Sequence, residues 1–141
     1  MFNPGEFYTL KGYSLLGDKE PLTTAMEDYL EIIYRLYTGG EEIRIKKISE
    51  VLHVKPSSAS KMAVTLKNSN YIEFEKYGQI TLTDAGKTMG EYLLDRHNVL
   101  HQFFCRINHS DNELMLVEKI EHFIDRKTVE NMRRWLNSSL F

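Results

Sequence analysis

Residues 45 to 83 run IKKISEVLHVKPSSASKMAVTLKNSNYIEFEKYGQITLT, and this stretch decides the fold. Apolar side chains recur at helical spacing over residues 45 to 53, which predicts a short helix. Pro56 follows closely, and its fixed φ and missing N–H suit the first turn of another helix that ends near Asn68. The sequence therefore predicts two helices joined by a tight turn.

The end of the same stretch predicts a β-hairpin. Apolar and polar residues alternate over 71 to 75 and again over 79 to 82, with the aromatic content typical of strands. Tyr77 and Gly78 supply a turn between the two segments. Two helices are thus followed by two short antiparallel strands.

A further helix is predicted ahead of this stretch. Thr24 to Glu27 form a capping box, apolar residues continue at helical spacing, and Gly39 and Gly40 end the pattern. Three helices followed by two strands is the order of elements in a winged helix-turn-helix domain. The fold class expected is mainly α, with this domain followed by an all-helical domain.

The second half of the chain has helical periodicity only. Thr83 is expected to cap a long helix over residues 84 to about 107. A second capping box at 110 to 113 predicts a helix that continues to about Ile124, and Asp125 is expected to cap a last helix.

These patterns divide the chain into three parts. Residues 1 to 22 have no helical period and contain Pro and Gly, which predicts an extended N-terminal arm. Residues 23 to 83 form the predicted winged helix-turn-helix domain. Residues 84 to 141 form a predicted helical domain.

Composition limits the class of protein. The chain has 141 residues, a net charge of −2 and one cysteine, Cys105, so an internal disulfide framework is excluded. No secretory leader and no apolar run long enough for a bilayer are present, so we expect a cytoplasmic protein without membrane contact. The sequence also offers no evident substrate cleft and no Gly-rich phosphate loop, so no enzymatic activity is expected.

The near-neutral total hides a strong regional charge. Residues 43 to 68 carry +5, and all other residues together carry −7. Positive charge on the second and third helices favours contact with a duplex phosphate backbone, and small hydroxyl side chains let a helix enter the major groove. The predicted DNA-binding residues are Arg44, Lys46, Lys55, Pro56, Ser57, Ser58, Ser60, Lys61 and Lys67, with Tyr77 and Gln79 at the wing.

Acidic and imidazole side chains recur at helical spacing on three other helices. They are Asp28 and Glu31 on the first, His97 on the fourth, and Glu118, Glu121 and His122 on the fifth. Such an oxygen and nitrogen set would suit Mn²⁺ or Fe²⁺, but each group could equally be a solvated helix face or a core histidine, and spacing alone does not decide. His101 and Cys105 extend the His97 stripe, but no second thiolate is present to complete a zinc site.

Four separated motifs resemble one protein family. The segments MEDYLEIIYRL, HVKPSSASKMAVTLKNSNYIEFEKYGQITLTDAGK, DRHNVLHQF and VEKIEH together are similar to the diphtheria toxin repressor family, in its manganese transport regulator branch. The resemblance implies that Asp28, Glu31, His97, Glu118, Glu121 and His122 are metal ligands. It also implies two Mn²⁺ ions per subunit, with Fe²⁺, Co²⁺ or Zn²⁺ able to bind in vitro. It further implies that residues 84 to 141 are a helical metal-binding and dimerisation domain, in a homodimer that binds a palindromic DNA operator and represses metal-uptake genes.

Two other functions remain open at this point. One is a metal-free winged helix regulator that senses a small molecule between its helices. The other is a small metal-dependent hydrolase, because carboxylates and histidines around two metals also describe such enzymes.

Overall fold

The computed structural model describes Gly5 and residues 22–75 and 77–138. Of the predicted arm, residues 1 to 22, all but Gly5 and Leu22 lie outside the described residues. Within the described ranges the chain forms six α-helices, one 3-10 turn after the fifth helix and a two-stranded sheet. The mainly α fold predicted from the sequence is confirmed.

The elements follow in chain order: α1 (Thr24–Thr38), α2 (Ile45–Leu52), α3 (Pro56–Asn68), β1 (Ile72–Glu73), β2 (Thr81–Leu82), α4 (Asp84–Asn108), α5 (Leu114–Ile120), a 3-10 turn (Glu121–Phe123) and α6 (Arg126–Ser138). The first five form the winged helix-turn-helix unit, and the others are all helical. No helix in the described ranges combines the length and the apolarity needed to span a membrane.

Helix α1 supplies the centre of the core of the winged unit, where Leu30 and Ile33 are fully buried. Its cap is Thr23, whose backbone is extended and whose Oγ1 accepts a hydrogen bond from the N–H of Met26 at 3.1 Å. The predicted cap at Thr24 was wrong by one residue, because Thr24 is already the first helical residue.

The tight turn between α2 and α3 is built as the sequence predicts. His53 takes a left-handed conformation with φ 56° and ends α2 at Leu52, one residue earlier than expected. Pro56 occupies the first position of α3, where its missing N–H removes no helical hydrogen bond. Helix α3 has the predicted bounds.

The hairpin is present but its strands are shorter than predicted. Strands β1 and β2 pair antiparallel, with Ile72 opposite Leu82. The N–H of Ile80 instead donates to the carbonyl oxygen of Ile43 at 2.7 Å. The segment before β2 is therefore hydrogen-bonded to the chain ahead of α2 and leaves the two-stranded ladder.

Helix α4 joins the two halves of the molecule. Thr83 caps it, as predicted, by accepting a hydrogen bond from the N–H of Gly86 at 3.0 Å. Leu93 belongs to the same core cluster as Leu30 of α1. The two helices approach most closely at Gly90, where an added Cβ would lie 2.6 Å from Cβ of Tyr34.

The capping box predicted at residues 110 to 113 is wrong. The Ser110 hydroxyl donates to the Glu113 carboxylate at 2.7 Å, and the N–H of Glu113 donates to Nε2 of His101 at 3.2 Å. In a capping box the two side chains would instead accept from the N–H groups of Glu113 and Ser110. Here the Glu113 N–H donates to His101, and the Ser110 N–H donates to the carbonyl oxygen of Cys105 at 3.0 Å. The helix begins only at Leu114, ends at Ile120 and gives way to the 3-10 turn, so it does not reach Ile124 as predicted.

Helix α6 begins where the sequence predicts. Asp125 Oδ1 accepts a hydrogen bond from the N–H of Thr128 at 2.8 Å. The helix packs against α4, where the rings of Phe103 and Trp135 meet edge to face with centroids 5.1 Å apart, and Val129 is buried.

Replacement of Gly90 by Ala is expected to destabilise the protein by about 1–3 kcal/mol, because the new methyl group has no room against Tyr34. Urea unfolding measures the change. The matched control is Thr88→Ala, an exposed position on the same helix, which should change stability by less than about 0.5 kcal/mol. A Gly90→Ala protein as stable as the wild type would contradict the close approach of α1 and α4.

Candidate metal centre and nucleic-acid interface

Three of the predicted ligands meet between the winged unit and the helical half. Ligand atoms of Glu31 from α1, His97 from α4 and Glu121 from the 3-10 turn all lie within 4.8 Å of one another. His97 is 6% exposed and Glu121 only 1%. Charged and imidazole groups this deeply buried require partners, so this cluster is not an ordinary solvated helix face.

Glu118 reaches the same cluster from α5. Its Oε1 lies 3.6 Å from His97 Nδ1, and that nitrogen is also 3.1 Å from Oε2 of Glu121. The Glu118 side chain is 57% exposed, whereas that of Glu121 is 2% exposed. Both carboxylates nevertheless approach the same nitrogen of His97, although Glu118 lies on α5 and Glu121 begins the 3-10 turn.

The other two predicted ligands pair with each other. Nε2 of His122 lies 2.9 Å from Oδ1 of Asp28. A cavity of about 530 Å³ opens beside these groups, and four of the six predicted ligands line it: Asp28, Glu31, His97 and Glu118. The structure thus brings Glu31, His97 and Glu121 together, places Glu118 beside His97, and places the Asp28 and His122 pair at the same cavity through Asp28.

The electrostatics of the cluster follow from burial and crowding. Burial, and then the nearby charge of Glu121, raise the pKa of Glu31 to about 7. The hydrogen bond to Glu121 raises the pKa of His97. Burial opposes the ionisation of Glu121, but hydrogen bonds with His97 and Glu31 lower its pKa overall. The cluster thus shares protons that a divalent cation would displace.

Arg35 supplies positive charge at the edge of the same cavity. Its Nη2 lies 3.0 Å from Oε2 of Glu31, one helical turn away, and its side chain lines the cavity. Burial, and then the charge of Glu121, raise the pKa of Glu118, and Arg35 opposes this rise. Arg35 therefore offsets part of the carboxylate repulsion.

Two residues that were not predicted complete the cluster. Glu27 Oε1 lies 2.8 Å from Nδ1 of His122, and Arg96 lies 3.3 Å from the same oxygen. Both precede predicted ligands within the quoted motifs, but adjacent helical residues point about 100° apart, so spacing gave no reason to include them. Hydrogen bonds to Asp28 and then Glu27 raise the pKa of His122 to about 10.

His101 and Cys105 form a separate local contact. Sγ of Cys105 lies 3.5 Å from Nε2 of His101, and that nitrogen also accepts the N–H of Glu113. The ring nitrogen is thus already engaged by the backbone.

The predicted DNA-binding residues are all exposed, and six of them line one groove between α2, α3 and the wing. The groove has a volume of about 860 Å³, and these six residues are Arg44, Lys46, Pro56, Ser60, Lys67 and Tyr77. The remaining residues on α3 and its cap, namely Lys55, Ser57, Ser58 and Lys61, are exposed around the first two turns of that helix. Gln79 lines a second depression beside the wing.

Two of the basic residues are also engaged in the fold. Arg44 Nη1 donates to the carbonyl oxygen of Tyr77 at 3.1 Å, and its Nε donates to Glu42 at 2.8 Å. Lys67 Nζ donates to the carbonyl oxygen of Phe74 at 3.0 Å and lies 5.6 Å from the centroid of its ring. Both side chains therefore attach the wing to the helices.

Fold and site together define a class of protein: a winged helix-turn-helix regulator whose DNA-binding unit meets a helical half at a carboxylate and imidazole cluster. The comparisons agree with this class. The family model described as "Iron dependent repressor, N-terminal DNA binding domain" matches residues 21–80. The HTH-type transcriptional regulator MntR of Oceanobacillus iheyensis is 38% identical over 116 residues, which cover 82% of this chain and 79% of that protein.

Solved structures show the same fold. The manganese regulator SloR is 28% identical with a TM-score of 0.68, and ScaR with bound Zn²⁺ is 25% identical with a TM-score of 0.68. In both cases the match covers 81% of this chain and 54% of the other, so the chain spans about half the length of these relatives.

The chain therefore belongs to the diphtheria toxin repressor family of metal-dependent transcriptional regulators, in its manganese transport regulator branch. The family is one of transcriptional repressors. Membership favours a metal-dependent regulator over both the metal-free small-molecule sensor and the hydrolase.

Without divalent metal, the free energy of unfolding should fall as pH rises from about 7 toward 10. Protonated His122 is stabilised by Asp28 and Glu27, so its pKa is raised from 6.5 to about 10. This stabilisation is complete below the unfolded-state pKa and is lost as pH rises through the folded-state pKa. Urea unfolding in EDTA at several pH values measures the slope.

His122→Gln should flatten that slope, whereas His53→Gln, at an exposed helix end, should leave it unchanged. Equal slopes in the wild type and in His122→Gln would contradict the pairing.

Proposed function

We propose that this protein represses metal-uptake genes when Mn²⁺ binds between its DNA-binding unit and its helical half. The observation that supports this most strongly is the cluster of Glu31, His97 and Glu121, whose ligand atoms lie within 4.8 Å of one another although they come from three separate elements. An ion bound there would attach α1 directly to α4 and to the 3-10 turn.

The donor set suits manganese. The proposed ligands are Asp28, Glu31, His97, Glu118, Glu121 and His122, four carboxylates and two imidazoles without a thiolate. Oxygen and nitrogen donors suit Mn²⁺ and Fe²⁺, and Co²⁺ or Zn²⁺ would also bind in vitro. Two ions per subunit are proposed, because the six groups divide into the Glu31, His97 and Glu121 cluster, with Glu118 beside His97, and the Asp28 and His122 pair.

Because the cluster is rich in carboxylates, its stability depends on whether metal is bound. Two carboxylates about 5 Å apart at an effective dielectric near 20 repel by about 3 kcal/mol. Divalent ions remove this repulsion and replace protons at Glu31 and His122, whose pKa values are raised to about 7 and about 10. Metal binding therefore stabilises the arrangement in which α1 is held against the helical half.

We further propose that the regulator acts as a homodimer in the cytoplasm. Four large apolar side chains are exposed close together in sequence in the helical half: Ile107, Leu114, Met115 and Phe123. Exposed apolar side chains of this kind are typical of association surfaces. In the proposed dimer, residues 84–141 bind metal and form the subunit contact. Residues 23–83 bind DNA, and residues 1–22 form an arm.

A dimer explains how metal affects DNA. Two α3 helices about 34 Å apart would enter successive major grooves of a palindromic operator. If metal fixes the orientation of α1, it also fixes α3, because both helices contribute to one buried core. Affinities for metal and for operator must then be reciprocally coupled.

The coupling is tested with duplexes selected from a random pool in the presence of Mn²⁺, in which an inverted repeat is expected. Mn²⁺ should raise affinity for the selected duplex by about tenfold or more, measured by fluorescence anisotropy. Glu121→Gln should abolish the increase, because it removes the buried ligand charge. Glu91→Gln, an exposed carboxylate on α4, is the control. An operator affinity independent of Mn²⁺ would refute the mechanism.

DNA contact is proposed for α3 and its surroundings. The proposed contacts are Arg44, Lys46, Lys55, Pro56, Ser57, Ser58, Ser60, Lys61, Lys67, Tyr77 and Gln79. Helix α3 has no acidic residue in its first turn and no side-chain cap, so its first N–H groups remain available to a phosphate.

Lys61→Ala should weaken operator binding and reduce the slope of log affinity against log salt by about 0.9, as expected for the loss of one phosphate contact. Lys127→Ala, an exposed lysine on α6, should change neither quantity. A salt slope for Lys61→Ala equal to that of the wild type would exclude Lys61 from the interface.

A further inference from the structure

The His122 imidazole is held at both ring nitrogens. Nε2 lies 2.9 Å from Asp28 Oδ1, on the side of the proposed metal, and Nδ1 lies 2.8 Å from Glu27 Oε1, on the other side. The Glu27 and His122 side chains are almost fully buried, whereas Asp28 is half exposed. The two carboxylates on adjacent residues of α1 thus occupy different environments.

Arg96 closes the buried side of this arrangement. Its Nη2 lies 3.3 Å from Glu27 Oε1 and its Nη1 3.5 Å from Glu27 Oε2, so both carboxylate oxygens face the guanidinium. The Arg96 side chain is 4% exposed, and its Nε has no hydrogen-bond partner among the described residues. A guanidinium buried with so few partners depends on the carboxylate that it faces.

We propose that Glu27 is a positioning residue that orients His122 for metal. Glu27 accepts the Nδ1–H of His122, which keeps the Nε2 lone pair directed toward the ion beside Asp28, and Arg96 holds the Glu27 carboxylate in place. Glu27 does not itself need to bind the ion, because its oxygens face Nδ1 and the guanidinium. The inference rests on the proposed function, since it assigns Nε2 of His122 to the metal.

This arrangement has the chemistry expected of a carboxylate beside a metal-binding imidazole. A hydrogen bond to the distal nitrogen fixes the tautomer and the ring orientation, and its loss typically weakens metal binding by about 10–100-fold. A role limited to joining α1 to the 3-10 turn would instead change stability without changing the tautomer of His122.

The first test is Mn²⁺ affinity, measured from the electron paramagnetic resonance signal of free Mn²⁺. Glu27→Gln keeps the side-chain volume, and we expect it to weaken Mn²⁺ binding by about 10–100-fold. Glu91→Gln, an exposed carboxylate on α4, should stay within about twofold of the wild type. The double variant Glu27→Gln/Arg96→Gln removes both buried charges, which keeps the test valid if the single variant folds poorly.

The second test reports the tautomer directly. Nitrogen-15 NMR of histidine side chains in the Zn²⁺-loaded protein should show His122 with a proton on Nδ1 and metal on Nε2. In the folded Glu27→Gln or double variant the Nδ1–H signal should shift and broaden, because the ring loses its anionic acceptor.

Unchanged Mn²⁺ affinity together with an unchanged His122 signal in a folded variant would overturn the inference and leave the proposed function intact. Wild-type protein that bound neither Mn²⁺ nor Zn²⁺ would overturn both.

Discussion

Repulsion among buried carboxylates is the constraint on which the structure depends. Helix α1, helix α5 and the 3-10 turn bring several acidic side chains to one junction, where each close pair costs about 3 kcal/mol if both members are ionised. Arg35 faces Glu31, Arg96 faces Glu27, and two imidazoles share the remaining protons. The negative charge of the junction is thus offset by guanidinium groups and by protons, and a divalent cation can take over this role.

Helix α1 turns this local balance into a property of the whole molecule. Leu30 and Ile33 are fully buried in the core that also contains Leu66 of α3, while the neighbouring Glu31 faces the junction. Because protein interiors are closely packed, a change in the orientation of α1 cannot be absorbed without moving its neighbours. A metal ion bound at Glu31, as proposed, would therefore act on α3 through the packed side chains of this core.

Local features of the sequence predicted the winged unit well. Pro56 and the residues after it gave the bounds of α3, and Thr83 and Asp125 gave two caps, because caps and proline act within one helical turn. The cap of α1 and the end of α2 were each wrong by one residue, and the larger failures came from long-range hydrogen bonds. His101 takes the Glu113 N–H from a distance of 12 residues, and Ile43 takes the Ile80 N–H, and no local pattern encodes either bond.

The candidate site was predictable to a similar extent and for the same reason. Resemblance to a family indicated the six proposed ligands. Glu27 contacts His122, which is 95 residues away, and Arg96 contacts Glu27, which is 69 residues away. Only the tertiary structure reveals these two contacts.

The number of basic side chains in the sequence overstates the charge that the surface offers to DNA, because other groups of the protein already engage some of them. Arg44 and Lys67 hydrogen-bond to the carbonyl oxygens of Tyr77 and Phe74, and Lys47 pairs with Glu41 at 3.4 Å. Charges already engaged with the protein contribute less to counterion release than charges free to meet phosphate. If α3 and its surroundings bind DNA as proposed, the salt-dependent part of the affinity should therefore come more from Lys46, Lys55 and Lys61 than from Arg44 and Lys67, whose side chains also attach the wing to the helices.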